Sequence, residues 1–408
     1  MNRVYDVVVL GAGIAGCAAA KLLAERGRTV MLLDRHKFPR HKVCGEFLSP
    51  EAQGTLARLG LLKDVLGLGP SRMSRTAIHL RSGGVLDLPL PGTALGVSRW
   101  LLDERLQLAA KSAGADFRDG AIVTSVTRRG DYYAVQVRSG KASEELLVRA
   151  VIGAWGGAGV SLGDWQEEAE EGAGRSKRER KGASALGVKM HYRFGRETED
   201  SGVTREKGNR GRSEGVELYF FRGGYIGLNA IEAGKINVAA LLDPDDIPAL
   251  HKNVPAMLEE AIGRSPRLAD RMSGSMPIMG SSAAVSPVRI SYRPLPWKGM
   301  PLVGDAICRI PPLCGDGMSM GLRSAELCVS YTERYLQGEL TLAQWERDYS
   351  AAITAEFSGP LRSGRIAQTL LEMPLLSHVL PLLARLAPGA ARGLIRATRL
   401  SGQPVPKQ

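Results

Sequence analysis

The chain has 408 residues, 44% of them hydrophobic and 5% aromatic, a composition that excludes a wholly disordered, a collagen-like or a disulfide-stapled protein. Its formal net charge of +12 would by itself suggest nucleic acid or an anionic membrane surface as a partner. The chain contains 49 glycines, which is unusually many. Glycine is needed where the backbone turns tightly or comes close to a ligand.

The first predicted elements form a βαβ unit. Residues 4–10 are a continuous apolar run, which is typical of a buried parallel strand. Residues 17–26 are rich in alanine and leucine and predict a helix that is closed by Gly27. Residues 29–33 form the next strand, which ends at Asp34. This order of elements is typical of a dinucleotide-binding fold.

A Gly-x-Gly-x-x-Gly sequence joins the first strand to the helix. Gly11 allows the turn, Gly13 allows a pyrophosphate to approach the backbone, and Gly16 allows close packing of helix and strand. The helix N-terminus adds free N–H groups and positive potential. Asp34 is placed to accept hydrogen bonds from ribose hydroxyls. In this context the motif predicts a dinucleotide site rather than a glycine-rich turn without a ligand.

The following residues predict alternating loops, strands and helices. A loop over residues 38–50 leads into a helix with Ser49 as N-cap and Pro50 at its first position. Residues 78–88 suggest a hairpin, and residues 98–114 a helix opened by Ser98. Further predicted strands span residues 121–126, 132–137 and 147–154, and a helix residues 317–335. Residues 301–306 are interpreted as the end of another buried strand.

Charged stretches occupy residues 167–181 and 196–214. They contain both signs of charge and lack interleaved aromatic residues, which favours solvated surface loops over a nucleic-acid patch. Four strands that lie between and after them predict an antiparallel sheet. These strands are residues 186–194, 216–221, 225–231 and 236–242.

The C-terminal part is helical by pattern, with breaks at Pro374, Pro381 and Pro388. Within residues 361–408, leucines are frequent and basic side chains outnumber acidic ones. Two interpretations remain: a membrane-surface segment with its arginines toward anionic lipid, or a helical cap over a substrate pocket, which we favour. Because much of the positive charge lies here, the charge no longer indicates nucleic acid.

Four segments together resemble the FAD-dependent oxidoreductases of the aromatic hydroxylase and geranylgeranyl reductase superfamily. They are Gly11 to Asp34, Pro39-Arg40…Lys42…Cys44-Gly45-Glu46, Ser98-Arg99…Leu102-Asp103 and Gly304-Asp305-Ala306…Gly315-Asp316-Gly317-Met318. The likeness covers roughly residues 1–345 and is closest to bacterial flavoprotein hydroxylases of polyketide or quinone tailoring. It implies an α/β fold, with a Rossmann-like FAD-binding domain interleaved with an antiparallel-sheet substrate domain, plus a helical C-terminus.

The resemblance also implies domain limits and site residues. The FAD-binding domain would comprise residues 1–75, 98–160 and 286–345, the substrate domain residues 76–97 and 183–285, and the basic helical segment residues 346–408. The expected cofactor-binding residues are Gly11, Gly13, Ile14, Ala15, Gly16, Asp34, Arg35, Arg40, Arg99, Gly304, Asp305, Gly315, Gly317 and Met318.

Several of these residues have an expected role in holding FAD. Asp305 would hydrogen-bond the ribityl chain, and Arg99 would contact the flavin phosphate region. The helix that begins near Gly317 would point its N-terminus at the flavin pyrimidine ring, where reduced flavin carries negative charge. Cys44 and Glu46 are the candidate catalytic residues, Glu46 as an acid–base group; for Cys44, simple packing is the alternative. Scattered cysteines and histidines predict no metal site.

The activity implied by the resemblance is an FAD-dependent monooxygenase that hydroxylates an aromatic, quinone or polyketide-type small molecule. NAD(P)H would be the reductant, although Trp155-Gly156 stands where many hydroxylases have Asp-Gly. The alternatives are a reductase that saturates isoprenoid double bonds and a non-enzymatic lipid-binding relative. The substrate could be lipidic in either enzyme. We expect a cytoplasmic protein without a transmembrane helix. Peripheral membrane contact through its C-terminal segment and its oligomeric state are left open.

Overall fold

The computed structural model describes residues 4–157, 185–194, 215–246, 253–373, 378–381, 389, 393 and 396–400. The charged stretches at residues 167–181 and 196–214 lie outside the described residues, as do Pro374 and Pro388. These ranges are the described part of the chain. Its strands form one six-stranded and one nine-stranded sheet.

The strands and helices follow in chain order. The strands are β1 (Tyr5–Leu10), β2 (Val30–Asp34), β3 (Phe47–Leu48), β4 (Ser71–His79), β5 (Val85–Gly96), β6 (Asp116–Asp119), β7 (Ala121–Arg129), β8 (Tyr132–Ser139), β9 (Ala142–Gly153), β10 (Ala185–Phe194), β11 (Gly215–Phe221), β12 (Gly224–Ala230), β13 (Ile236–Leu242), β14 (Ser275–Pro277) and β15 (Ala283–Val288). The helices are α1 (Ile14–Glu25), α2 (Pro50–Arg58), α3 (Leu62–Leu66), α4 (Arg99–Ser112), α5 (Val254–Gly263), α6 (Pro266–Met272), α7 (Gly317–Leu336) and α8 (Leu342–Glu372).

The six-stranded sheet carries the predicted βαβ unit. Its order is β6-β2-β1-β9-β8-β7, with parallel pairing from β6 to β9 and antiparallel pairing from β9 to β7. Helix α1 is buried along nearly its whole length and packs against α4 and α7. The carboxyl ends of β1 and β9 therefore meet the N-terminus of α1, which is where doubly wound folds bind dinucleotides.

The buried strand that was expected to end at residues 301–306 is wrong in extent. Leu302 makes a single parallel bridge to Gly153, and Gly304 to Ala306 then form a 3₁₀ turn. Pro301 has no backbone N–H for a ladder, and Gly304 has a φ of +65°, so the chain turns away from the sheet here.

The second sheet runs in the order β14-β10-β13-β12-β11-β4-β5-β3, with β15 beside β10. The antiparallel prediction is confirmed for most of its pairs, but β4 and β11 pair in parallel. One face of this sheet packs its apolar residues against α5 and α6. The opposite face is turned toward the βαβ unit.

The C-terminal helix α8 ends at Glu372, two residues before the break predicted at Pro374. It begins at a capping box made by Thr341 and Gln344, continues through Pro360, and buries Trp345 and Tyr349 against the main core. No helix in the described ranges is both long enough and apolar enough to cross a membrane.

Candidate active site

A cavity of about 750 Å³ lies between the first βαβ unit and the second sheet. All but three of the predicted cofactor-binding residues line it. Those that line it are Gly13, Ile14, Ala15, Asp34, Arg40, Arg99, Gly304, Asp305, Gly315, Gly317 and Met318. The candidate catalytic residues Cys44 and Glu46 line it as well. The fold thus brings the four separate sequence segments to one place.

Two of the three glycines of the first motif shape the backbone of the loop without lining the cavity. A Cβ on Gly11 would lie 2.3 Å from the carbonyl oxygen of Ala154, and φ of Gly11 is +119°. A Cβ on Gly16 would lie 1.8 Å from the carbonyl oxygen of Gly11. Gly13, in contrast, leaves its own backbone open to the cavity. These positions agree with the distinct roles expected of the three glycines.

The Asp34 side chain holds the glycine loop by hydrogen bonds to its backbone. Its buried carboxylate accepts hydrogen bonds from the backbone N–H groups of Ala12 and His36, each at 2.9 Å. Carboxylate oxygens have further lone pairs, so Asp34 can still accept from ribose hydroxyls in the cavity. Arg35 is exposed, contacts the His36 ring and does not line the cavity.

Two basic side chains contact one buried carboxylate beside the glycine loop. Arg99 at the start of α4 makes a bidentate contact with Asp103, at 2.8 and 2.9 Å, and the Lys42 ammonium lies 2.8 Å from the same carboxylate. Burial would raise the pKa of Asp103, but the charges of Arg99 and Lys42 outweigh it and the pKa is lowered. Burial lowers the pKa of Arg40 and of Lys42.

This basic cradle, made of Arg40, Lys42 and Arg99, fits a diphosphate. Around Asp103, positively charged side chains outnumber negatively charged ones. The buried Nε atom of Arg40 has no hydrogen-bond partner among the described residues. A Cβ on Gly13 would point at the Lys42 ammonium, 3.6 Å away, so the bare backbone and the cations face the same space. The diphosphate of FAD would supply both the missing acceptor and the missing negative charge.

The N-terminus of α7 faces the cavity at the expected flavin end. Gly315 precedes it with a φ of +70°, and a Cβ on Gly317 would meet no atom within 4 Å, so a flat ring can approach the backbone there. The N-cap residue Asp316 is fully buried, where it accepts hydrogen bonds from the Ser49 hydroxyl and the Leu400 backbone N–H. Burial raises the pKa of Asp316.

The C-terminal residues close this end of the cavity. Leu400 binds Asp316, and Arg399 pairs with Glu51 at 3.0 Å. Thr398 and Arg399 line the cavity together with Leu371 of α8. These contacts support the interpretation of the C-terminal segment as a cap.

A buried polar cluster that sequence reasoning missed lies behind Glu46. Lys189 donates to Glu46 Oε1 at 2.9 Å, and His191 Nε2 lies 2.6 Å from Glu46 Oε2. The Lys189 ammonium also lies 2.8 Å from His191 Nε2 and 3.3 Å from His41 Nδ1. Glu46, Lys189 and His191 are almost wholly buried, whereas His41 is partly exposed. We call these four residues the Glu46 cluster.

One signal in the sequence could have indicated part of this cluster. Lys189 and His191 stand two residues apart in a predicted strand and therefore share one face. Their neighbours Val188 and Met190 face the apolar core under the other side of the sheet. Two titratable residues on one face of such a strand are unusual, because burying a charge without a partner is costly.

The Glu46 cluster is not an open metal site. Ligand atoms of His41, Glu46 and His191 lie within 4.8 Å of one another, as a metal would require. The Lys189 ammonium stands among these same atoms, within hydrogen-bond distance of each residue. An ammonium thus takes the position that a metal cation would need.

Glu46 is held in an unusual backbone conformation. Its φ of +53° lies in the left-handed region, which a non-glycine residue seldom adopts. Its N–H donates to Cys44 Sγ, and its side chain accepts from the backbone N–H of Arg99. Burial raises the pKa of Cys44, so its thiol stays protonated. The carboxylate rather than the thiol is therefore the ionised group at this wall of the cavity.

The stability of the protein should depend on His41 in mildly acidic solution. Burial, and then the charge of Lys189, lower its pKa from 6.5 to about 4. The unfolded chain binds this proton between these pH values and the folded chain does not, so the free energy of unfolding falls as the pH drops through this window. A His41→Gln variant should lose that part of the slope in denaturant unfolding at several pH values. Identical slopes would contradict the assignment.

The second half of the cavity is an aliphatic chamber under the inner face of the second sheet. Its walls come from β4, β5, β11, β13 and β15, from the 3₁₀ turn Pro312–Cys314, from α8 and from Leu380 beyond the end of α8. The lining residues are Ile78, Leu86, Leu88, Leu90, Val216, Leu218, Leu241, Val285, Val288, Leu313, Leu370, Leu371 and Leu380. A ligand here would be bound chiefly by the burial of apolar surface.

The chain is similar to known FAD-binding proteins. Residues 4–177 match the family of FAD binding domains. A menaquinone reductase of Mycolicibacterium smegmatis is 38% identical over 133 residues, which are 31% of this chain and 32% of that protein. A kynurenine 3-monooxygenase of Salinispora arenicola is 31% identical over 169 residues, covering 38% of this chain and 37% of that protein.

A solved structure shares nearly the whole fold. A flavoprotein/dehydrogenase from Cytophaga hutchinsonii superposes with a TM-score of 0.75 at 19% identity, covering 96% of this chain and 92% of the other. The chain spans only about a third of the length of the curated relatives named above. The match over residues 4–177 confirms the predicted FAD-binding domain and FAD as its cofactor, and the superposition shows that the chain shares the fold of the solved flavoprotein.

Proposed function

We propose that this chain, an FAD-binding protein with the fold of the flavin-dependent oxidoreductases, is a monooxygenase that hydroxylates an apolar quinone- or polyketide-type ring. The observation that carries the proposal is the single cavity that joins the basic cradle to the aliphatic chamber. A substrate in the chamber would lie beside the flavin end of the site. Its few hydrogen-bonding groups would suit an aromatic ring with an aliphatic tail.

When bound, FAD would supply the redox chemistry, either oxygen activation or hydride transfer. The protein's own residues have other tasks. Arg40, Lys42 and Arg99 would hold the diphosphate, and the N-terminus of α7 would stabilise negative charge on the flavin ring. The aliphatic walls and the C-terminal segment would exclude water from the reacting atoms. Glu46 would hold or accept a proton at the wall of the chamber.

A reductase that saturates isoprenoid double bonds is the second candidate. The similarity to a menaquinone reductase over a third of the chain favours it, as does a chamber lined by aliphatic side chains. The two candidates share the cofactor and the substrate class. They differ in the product, which gains an oxygen atom in hydroxylation and two hydrogen atoms in double-bond reduction.

Product mass separates the two candidates. The FAD-loaded protein would be incubated with NADH or NADPH under ¹⁸O₂ and with naphthoquinols that carry alkyl or short isoprenoid chains. Hydroxylation predicts a product that has gained one ¹⁸O atom, whereas double-bond reduction predicts two added hydrogens and no label. Consumption of the nicotinamide with no change in any quinol would contradict both.

Filling the chamber should separate substrate binding from cofactor binding. Ala239 lines the chamber on β13, so Ala239→Phe would place a ring where the substrate lies. We expect at least a tenfold higher KM for the accepted quinol, about 1.4 kcal/mol of binding, with FAD affinity unchanged. Ala351→Phe at an exposed position of α8 is the matched control. A KM equal to that of the control would mean that the substrate lies elsewhere.

A further inference from the structure

Arg399 lies in the C-terminal segment, beyond the part of the chain that resembles the flavoprotein superfamily, and it lines the cavity. Its exposed fraction is only 7%, and those of its neighbours Thr398 and Leu400 are 6% and 8%. Leu400 belongs to the main hydrophobic core, which fixes the backbone beside Arg399. The C-terminal segment thus holds a buried cation in the wall of the cavity, separate from the basic cradle.

Most of the hydrogen-bonding capacity of Arg399 is unused. A guanidinium carries five N–H donors in a planar fork. Nη1 donates to Glu51 Oε2 at 3.0 Å, whereas the buried Nε has no hydrogen-bond partner among the described residues. Leaving a buried donor without an acceptor is costly, and more so on a charged group. The arrangement therefore indicates a ligand in the cavity that supplies an acceptor.

The guanidinium lies at the same end of the cavity as the N-terminus of α7. The backbone N–H of the next residue, Leu400, donates to the N-cap carboxylate of Asp316 at 3.1 Å. Burial raises the pKa of Cys314 to about 12 and raises that of Asp316, and the charge of Arg399 opposes both shifts. Since Cys314 and Asp316 flank Gly315, the cation adjoins the turn where a flat ring can approach the backbone.

Two carboxylates adjoin Arg399, and both have other tasks. Glu51 is engaged through Nη1 and does not line the cavity. Asp316 accepts hydrogen bonds from the Ser49 hydroxyl and from the Leu400 backbone N–H. The ion pair with Glu51 thus fixes the guanidinium from outside the cavity, and it leaves further donors of Arg399 for a ligand.

We propose that Arg399 donates hydrogen bonds to the pyrimidine edge of the flavin ring and stabilises the negative charge that this edge carries in the reduced state. The N-terminus of α7 supplies partial positive charge at this end, and the guanidinium adds a full charge. Charge beside this edge tunes the electronics of a bound flavin. The assignment rests on the part of the proposed function that both candidates share, the binding and reduction of FAD in this cavity. Glu51 acts through Arg399 and is a positioning residue.

The redox equilibrium of the bound flavin tests this role without turnover of a substrate. Each FAD-loaded protein is reduced slowly in the absence of oxygen by xanthine and xanthine oxidase, with phenosafranine as the reference dye. Absorbance spectra give the ratio of reduced to oxidised flavin at equal reduction of the dye. Arg399→Gln should lower this ratio by about tenfold or more, because a full charge beside the reduced ring is lost. Arg399→Lys keeps the charge without the planar fork and should give an intermediate ratio.

Two variants that keep Arg399 serve as controls. Glu51→Gln breaks the ion pair but removes a negative charge, so it should raise the ratio, in the opposite direction to Arg399→Gln. Arg58→Gln removes the same positive charge from an ion pair with Glu326 that does not line the cavity, and it should leave the ratio unchanged. A role of the ion pair in structure alone predicts that both of its halves respond in the same direction.

Three results would overturn the role of Arg399. One is a ratio in Arg399→Gln equal to that in Arg58→Gln. Another is a lowered ratio in both Arg399→Gln and Glu51→Gln, which would show a structural role of the pair. The third is an unchanged ratio in Glu51→Gln, which decides the question even if Arg399→Gln takes up no FAD. All three leave both candidate activities standing, whereas a wild-type protein that binds no FAD would contradict the assignment of the cavity itself.

Discussion

Replacement of Gly13 by glutamate is expected to abolish FAD binding while the fold persists. A Cβ at this position would lie 3.6 Å from the Lys42 ammonium and 3.9 Å from the Arg99 guanidinium, with no closer contact. The longer side chain would place its own carboxylate between these cations, where the diphosphate would lie. The affinity for FAD should fall by about 100-fold or more, since at least two charge-assisted contacts are lost.

The matched control for this variant is Gly359→Glu. Gly359 lies in α8, and a Cβ there would meet no atom within 4 Å. Flavin fluorescence quenching measures the affinity, and thermal unfolding of the FAD-free proteins measures the fold. We expect both FAD-free variants to unfold close to the wild-type temperature. A Gly13→Glu protein that binds FAD as tightly as the control would place the diphosphate elsewhere.

Asp103→Asn should make the stability of the protein depend on FAD. The substitution leaves Lys42 and Arg99 without the buried carboxylate that both contact, and breaking such an arrangement costs about 3–5 kcal/mol. Bound FAD would return negative charge to the same place. The rise in unfolding temperature on adding FAD should therefore be larger in the variant than in the wild type.

An exposed ion pair supplies the control for this prediction. Asp87 pairs with Arg75 on the surface hairpin, with both side chains about half exposed, so Asp87→Asn should change stability little. Differential scanning calorimetry with and without FAD measures both variants. Two results would contradict this role of Asp103. One is that Asp103→Asn lowers the free energy of unfolding no more than Asp87→Asn does. The other is that FAD stabilises the Asp103→Asn variant no more than it stabilises the wild type.

The sequence could predict those parts of the site whose residues lie close together along the chain. The Gly11 to Asp34 unit is read from spacing alone, because a strand, a turn and a helix follow one another within it. Arg99 and Asp103 stand four residues apart on one helix, a spacing that brings their side chains together, although no role was predicted for Asp103.

The Glu46 cluster could not be predicted because strand pairing, not local sequence, assembles it. Lys189 and His191 are separated from Glu46 by 143 and 145 residues. They reach it because β10 lies in a second sheet whose order does not follow the chain. The buried strand expected to end at residues 301–306 is reduced to one bridge between Leu302 and Gly153, because Pro301 lacks an N–H and the chain turns at Gly304.

The visible absorbance spectrum of the purified protein, incubated with FAD and then freed of unbound flavin, tests the central claim most directly. The site described above predicts the absorbance bands of oxidised flavin at a stoichiometry of one FAD per chain, and their loss in Gly13→Glu but not in Gly359→Glu. A folded wild-type protein that stays colourless after this treatment would contradict the assignment of the cavity to FAD.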